Sequence, residues 1–419
     1  MRSRTFCIVC MLLFFWIGWL PASVATASGQ PPRMSAGQLA APSSDISSPA
    51  AASPAAPSPA GPEPAADTTT DTGDMDRFWR DLVDQYSSFL PSTSSPNVIT
   101  LMKDEGFSLQ GILRGLVKFL FYEIAQNSVL LGSILVLAVL SALLENLQNA
   151  FERNNVSQIG FAVISIALIV LSVNSFMQAI GYAKQAIETM SSFMMGSIPL
   201  LLALMASSGA VTSTTLLYPT IVFVVNAFAG IVTYVVFPLI FFSAVMLMIS
   251  EFSSRYKLSQ LGGFLRTVGN WVLGAAFVVF LGVMAVKGSM GGIADGIALR
   301  TAKFATSTLI PVVGKMFSDS IDTVVGASML VKNSIGVAGL IILALICTFP
   351  ALKIISLAIV YSLSGAVMQP LGNSPVTSCL STIGKTLFIV FSAMGTVGFM
   401  FFLSITMILM AGNIQLMVR

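Results

Sequence analysis

The sequence predicts an all-α, polytopic helical membrane protein with an internal duplication and proline-broken helices. Three observations predict it. Of its 419 residues, 55% are hydrophobic and only 9% charged, where a soluble domain carries about 25% charged residues. Several apolar stretches reach the roughly 20 residues that a helix needs to cross about 30 Å of hydrocarbon. Proline-containing strings recur late in the chain in the same order. The net charge of +3 is dispersed over short loops, so the concentrated basic face that nucleic acid requires is missing and nucleic acid is not expected as a partner.

The opening "MRSRTFCIVCMLLFFWIGWLPASVATAS" sets Arg2 and Arg4 before an apolar run, then Pro21 and a small-residue Ala25-Thr26-Ala27 cleavage pattern. It reads as a signal peptide over residues 1–27, with an uncleaved anchor as the alternative. Either way, the residues that follow begin outside the cytoplasm. Cys7 and Cys10 would leave with the peptide, while Cys347 and Cys379 fall in or near apolar sequence, so no disulfide framework is implied. Residues 28–75 are dominated by Pro, Ala and Ser and form a disordered tether with almost nothing to bury.

Residues 76–128 read as a short extracytoplasmic amphipathic region. In "MDRFWRDLVDQYSSFL", Phe78, Trp79, Leu82, Val83, Tyr86, Phe89 and Leu90 stand at helical spacing before Pro91. This helix serves either docking, with Phe78 and Trp79 as candidates to meet a partner, or simple packing. The following "FSLQGILRGLVKFLFYEIAQN", with Arg114, Lys118 and Glu123 among bulky apolar residues, suits a helix lying flat at the membrane interface. The alternative is that it extends the first span into solvent.

The polytopic domain is placed at residues 129–419. Clear spans are 129–147, 159–180, 268–286 and 387–411; stretches 193–211, 216–249 and 336–369 contain proline. The 216–249 run is long for one straight span and short for two, so Pro238 marks a kink or a tight hairpin. Arg255, Lys257 and Arg266 put the loop "EFSSRYKLSQLGGFLRT" in the cytoplasm. Arg255 and Lys257 form a second candidate docking patch. An odd number of crossings must then separate 181 from 250: either a re-entrant element followed by one bent span, or three short spans. The total comes to roughly six to nine spans.

Ile198-Pro199 and Phe237-Pro238 recur as Ile310-Pro311 and Phe349-Pro350 at a common offset, and "LRTVG" is echoed by "LSTIG". The repeats would cover 177–284 and 290–399. Duplicated units with broken helices are an architecture of transporters, whose paths run at the repeat interface; this is an architectural analogy. Pro199, Pro238, Pro311, Pro350 and Gly314 are the candidate hinges. Arg300, Lys303, Lys315, Asp319 and Asp322 are costly to expose to lipid. They therefore line either a water-filled path or a solvated extracytoplasmic loop.

Much chemistry is missing. Without histidine there is no Ser-His dyad and no H-E-x-x-H zinc site, and no phosphate-binding G-x-x-x-x-G-K-[ST] loop occurs. Asp295, Asp319 and Asp322 lie near cations in a weakly apolar region, which disfavours an aspartate-based intramembrane hydrolase. No enzymatic activity, cofactor or metal is expected, so an energy source must be a partner or an ion gradient.

The strings "FWRDLVDQYSSFLP", "FLFYEIAQNSVLLGSIL", "LENLQNAFERNNVSQI", "IPLLLALMASSG", "LLYP", "RTAKFATSTLIPVVGKMFSDSIDTVV" and "QPLG" resemble the stage III sporulation protein AE family of endospore-forming Firmicutes. The resemblance covers about 76–419 and leaves the tether outside it. It implies a polytopic subunit of a transenvelope, secretion-like channel complex, made by the mother cell and placed in the membrane around the engulfed forespore. It further implies partners among the other stage III sporulation A operon proteins, a secretion-type ATPase and ring-forming proteins, and indirectly stage II sporulation protein Q. The complex would keep the forespore competent for late gene expression. A non-conducting scaffold and a stand-alone ion-coupled permease are the alternatives.

Overall fold

A computed structural model describes residues 73–90, 109–150, 155–252, 258–309, 313–371 and 374–417. The chain divides into two units, Met1–Thr70 and Asp71–Arg419, and the described residues all belong to the second. The signal peptide, most of the tether, Arg255, Lys257 and Pro311 lie outside the described residues.

Among the described residues every element is helical. They are α1 (Gly73–Tyr86), α2 (Leu109–Gln126), α3 (Ser128–Ala150), α4 (Asn155–Ser207), α5 (Val211–Ile231), a π-helical turn (Val232–Val236), α6 (Phe237–Phe252), α7 (Ser259–Leu309), α8 (Val313–Met368), a short 3₁₀ turn (Gln369–Leu371) and α9 (Pro375–Met417). Six segments are long and apolar enough to cross a membrane: Ser128–Glu145, Ile159–Ser207, Val211–Phe252, Ser259–Gly288, Gly326–Met368 and Pro375–Ala411. The chain is thus a multi-pass membrane protein.

Several helices exceed what a bilayer requires. The 53 residues of α4 rise about 80 Å at 1.5 Å per residue, more than twice the hydrocarbon thickness. Most of stretch 193–211 is the distal part of α4, continuous with the apolar run before it. Stretch 216–249 is one bent passage, α5 through the π turn into α6. The region before the first span also departs from a detached interfacial helix. Asn127 N–H donates to the Glu123 carbonyl at 3.0 Å and Leu131 N–H to the Asn127 carbonyl at 2.9 Å, so helical bonding carries α2 into α3.

The expected proline breaks are corrected at two positions. Pro199 lies inside α4 and Pro350 inside α8, and both helices continue through them. A proline removes one backbone hydrogen bond, whereas a full break would leave several backbone groups without helical partners, so in a packed bundle the single loss costs less. Pro238 is accommodated differently. Just before it, the Phe237 N–H reaches back to the Val232 carbonyl, and this wider π turn makes room where an α-helical proline would clash with the carbonyl four residues earlier.

A true reversal occurs at Gly209, whose φ of 92° lies in the left-handed region that glycine enters without penalty. Its N–H donates to the Ala206 carbonyl at 2.9 Å and the Ala210 N–H to the Met205 carbonyl at 3.2 Å, the two bonds of a Schellman cap that ends α4. Close crossings set the hairpins. Gly269 of "LRTVG", on α7, faces Val236, Leu239 and Ile240, while Gly384 of "LSTIG", on α9, faces Ala358 and Ser362 of α8.

One further element fixes the geometry of the site. Helix α1 buries Met75, Trp79 and Leu82 and sets Phe78 edge-on to Phe193 of α4, centroids 5.4 Å apart. Its outer face carries Asp74, Arg77, Arg80, Asp81 and Asp84, all exposed. Five charged side chains in lipid would be costly, so the outer face of α1 is suited to water rather than to lipid. Trp79 is thus engaged within this chain, as the packing alternative expects, while Phe78 is half-buried and lines a pocket.

Candidate functional site

A polar cleft opens where α1, α2, α4 and α8 meet. Its volume is about 600 Å³, with an adjoining pocket of about 150 Å³. Gln85 and Tyr86 come from the end of α1, Tyr122, Glu123 and Gln126 from α2, Gln178 and Tyr182 from α4, and Lys353 from α8. Each element supplies polar residues at one level of an otherwise apolar rod. On α4, Tyr182 follows one apolar run and precedes another; on α8, Lys353 does the same.

Among the described residues, Glu123 and Lys353 are the charged ones lining the main cleft. The Lys353 ammonium lies 4.0 Å from the Glu123 carboxylate, with the two side chains 27% and 16% exposed, and 5.4 Å from the centroid of the Tyr182 ring. It therefore has both a carboxylate and a ring face to balance its charge. An aromatic cluster builds one wall: Tyr86 stacks on Phe349 at 3.7 Å, and Phe119 meets Tyr86, Phe89 and Phe349 edge-on at 5.0–5.6 Å. Asn127, at the α2–α3 junction and part of the cleft lining, donates to the Glu123 carbonyl at 2.8 Å and to the Ser356 hydroxyl at 3.3 Å, tying α2 to α8.

Burial raises the Glu123 carboxyl above its ordinary pKa, and the Lys353 ammonium pulls it partly back. Burial, and then the Glu123 charge, push Tyr86 up to about 12, so its hydroxyl remains a donor at neutral pH. The raised carboxyl has a consequence for folding. Its stabilising contribution is complete below the ordinary carboxylate range and is lost as pH rises through the raised value. Thermal melts from about pH 4 to pH 7 should show Glu123→Gln losing less stability than wild type over that window; identical slopes would remove Glu123 from the account.

A second polar anchor lies at the far end of α4. Asp295 of α7, 2% exposed, accepts the Thr212 N–H at 2.7 Å and the Ser213 N–H at 2.9 Å. The residue before α5, Ala210, has no capping side chain. A carboxylate from another helix thus satisfies two of the amide donors that a helix start leaves open. Lys332 of α8 is fully buried and donates to the Leu409 carbonyl of α9 at 3.1 Å.

The residues expected to line a path are placed as follows. Arg300 is exposed on α7, and Lys303 lies on the same helix. Gly314, Lys315, Asp319 and Asp322 lie on α8, where the spacing puts Lys315 and Asp319 on one face. The side chains of Lys303, Lys315, Asp319 and Asp322 lie outside the described residues. Of the described side chains in this set, Arg300 is not among those that line the cleft. Sequence reasoning passed over Lys353, although it stands alone between the apolar runs on either side of it in α8.

Comparison with known proteins follows this geometry. A family model, stage III sporulation protein AE, matches residues 94–412. That span includes the cleft residues of α2, α4 and α8 and excludes α1. Stage III sporulation protein AE of Bacillus subtilis (strain 168) is 42% identical over 350 residues, covering 83% of this chain and 88% of the relative. No solved structure matches the chain.

Proposed function

This chain belongs to the stage III sporulation protein AE family, and on that premise we propose that it is the membrane core of a mother-cell-to-forespore channel complex. In this reading the complex is transenvelope and secretion-like, required for endospore development and late forespore gene expression. The chain sits in the mother-cell membrane around the forespore, with its signal peptide removed and α1 between the two membranes. It catalyses nothing itself. The ATPase and ring-forming proteins of the same operon supply energy and continuity, and stage II sporulation protein Q meets the assembly indirectly.

The observation that supports a conducting role over a purely scaffolding one is the cleft, where a partly buried ion pair is gathered with polar side chains from four helices, an arrangement suited to holding a polar solute. A chain carrying Glu123→Ala and Lys353→Ala together, expressed in sporulating cells, tests this. The expected result is normal protein level and normal recruitment of partners, with late forespore reporter expression reduced at least about tenfold, the scale of a lost buried charged contact. Full reporter expression in that variant would favour the scaffold.

A further inference from the structure

We propose that the cleft binds a small zwitterionic solute of the amino-acid class, with its carboxylate toward Lys353 and its amine toward Glu123. The argument begins with charge. Among the described residues the main cleft presents one carboxylate and one ammonium, 4.0 Å apart, with Asp81 on the adjoining pocket, and the remaining described polar lining of the main cleft is neutral. An anion alone would meet Glu123 and a cation alone would meet Lys353, each with a like charge in a partly dehydrated site. An α-amino acid carries both signs a short distance apart. Set antiparallel to the Glu123–Lys353 pair, it closes a ring of alternating charges in which every neighbour is opposite.

Hydrogen-bonding capacity points the same way. Gln85, Gln126 and Gln178, all exposed at the cleft, each bring an amide that can both donate and accept, so a polar side chain finds partners there. About 600 Å³ falls within the roughly 300–1,000 Å³ typical of small-molecule sites. Glu123 and Lys353 keep 16% and 27% of their side-chain surface exposed, so a solute can reach both. The inference holds whether the chain conducts or only scaffolds, and its test is independent of sporulation.

The experiment uses the purified full chain in lipid nanodiscs, with equilibrium binding of radiolabelled L-glutamine and the thermal midpoint as readouts. Saturable binding and a raised midpoint are expected. N-acetyl-L-glutamine, which lacks the charged amine, should bind at least about tenfold more weakly to the wild-type chain, as should L-glutamine to Glu123→Gln and to Lys353→Met. Because the acetylated ligand is tested on the unaltered chain, the result does not depend on how the variants fold. No binding at millimolar L-glutamine, equal affinity for the acetylated form, or binding of trehalose that survives both substitutions would each overturn the inference.

Discussion

Trp79→Ala will release α1 from the helical bundle. Its indole is 2% exposed and, with Met75 and Leu82, supplies the buried face of a helix only 14 residues long. A helix of that length is marginal in isolation and depends on packing. Truncating a buried tryptophan to alanine costs about 3–5 kcal/mol, comparable to all that holds so short an element in place. Trypsin applied to the chain in nanodiscs should then cut at Arg77 and Arg80, which the docked helix protects, at rates at least about a hundredfold above wild type. Unchanged protection would mean that the chain on either side of α1 holds it down. Release also removes Gln85 and Tyr86 from the cleft, so L-glutamine binding should fall in parallel.

Asp295→Ala should open the turn between α4 and α5. The substitution leaves the Thr212 and Ser213 amides without the acceptor that holds them at 2.7 and 2.9 Å. Hydrogen bonds to a charged group contribute about 1.5–3 kcal/mol each, so a loss of about 3 kcal/mol or more is expected. Hydrogen exchange at residues 211–214 reads it locally and should accelerate at least about a hundredfold. Asp295→Asn, keeping one acceptor oxygen, should fall between wild type and alanine. Exchange unaltered in the alanine variant would show that the start of α5 is held by its own turn alone.

Much of this architecture can be read from residue types. Apolar runs such as 159–180 and 387–411 must be helices, since lipid offers backbone amides no other partner. The spacing of Phe78, Trp79 and Leu82 marks an amphipathic helix because only one face of it is apolar. "LRTVG" and "LSTIG" also stand out in the sequence, and both bring a glycine to a helix crossing. Proline was the misleading signal. Its local cost is the same in any helix interior, but neighbouring helices set the cost of the alternative, and in a packed bundle Pro199 and Pro350 remain helical.

Composition and periodicity were therefore enough for the all-α membrane class, the amphipathic α1 and the polytopic order, because these follow from each residue's own solvation and its neighbours three and four positions away. Partnerships across the chain were not available in that way. Nothing local pairs Glu123 with Lys353, or sends Asp295 to the start of α5, and nothing local shows that Trp79 faces inward rather than toward another protein. Those outcomes belong to the packing of long helices side by side, where contacts form between residues far apart in sequence and the energy of a charge is set by what the fold places next to it.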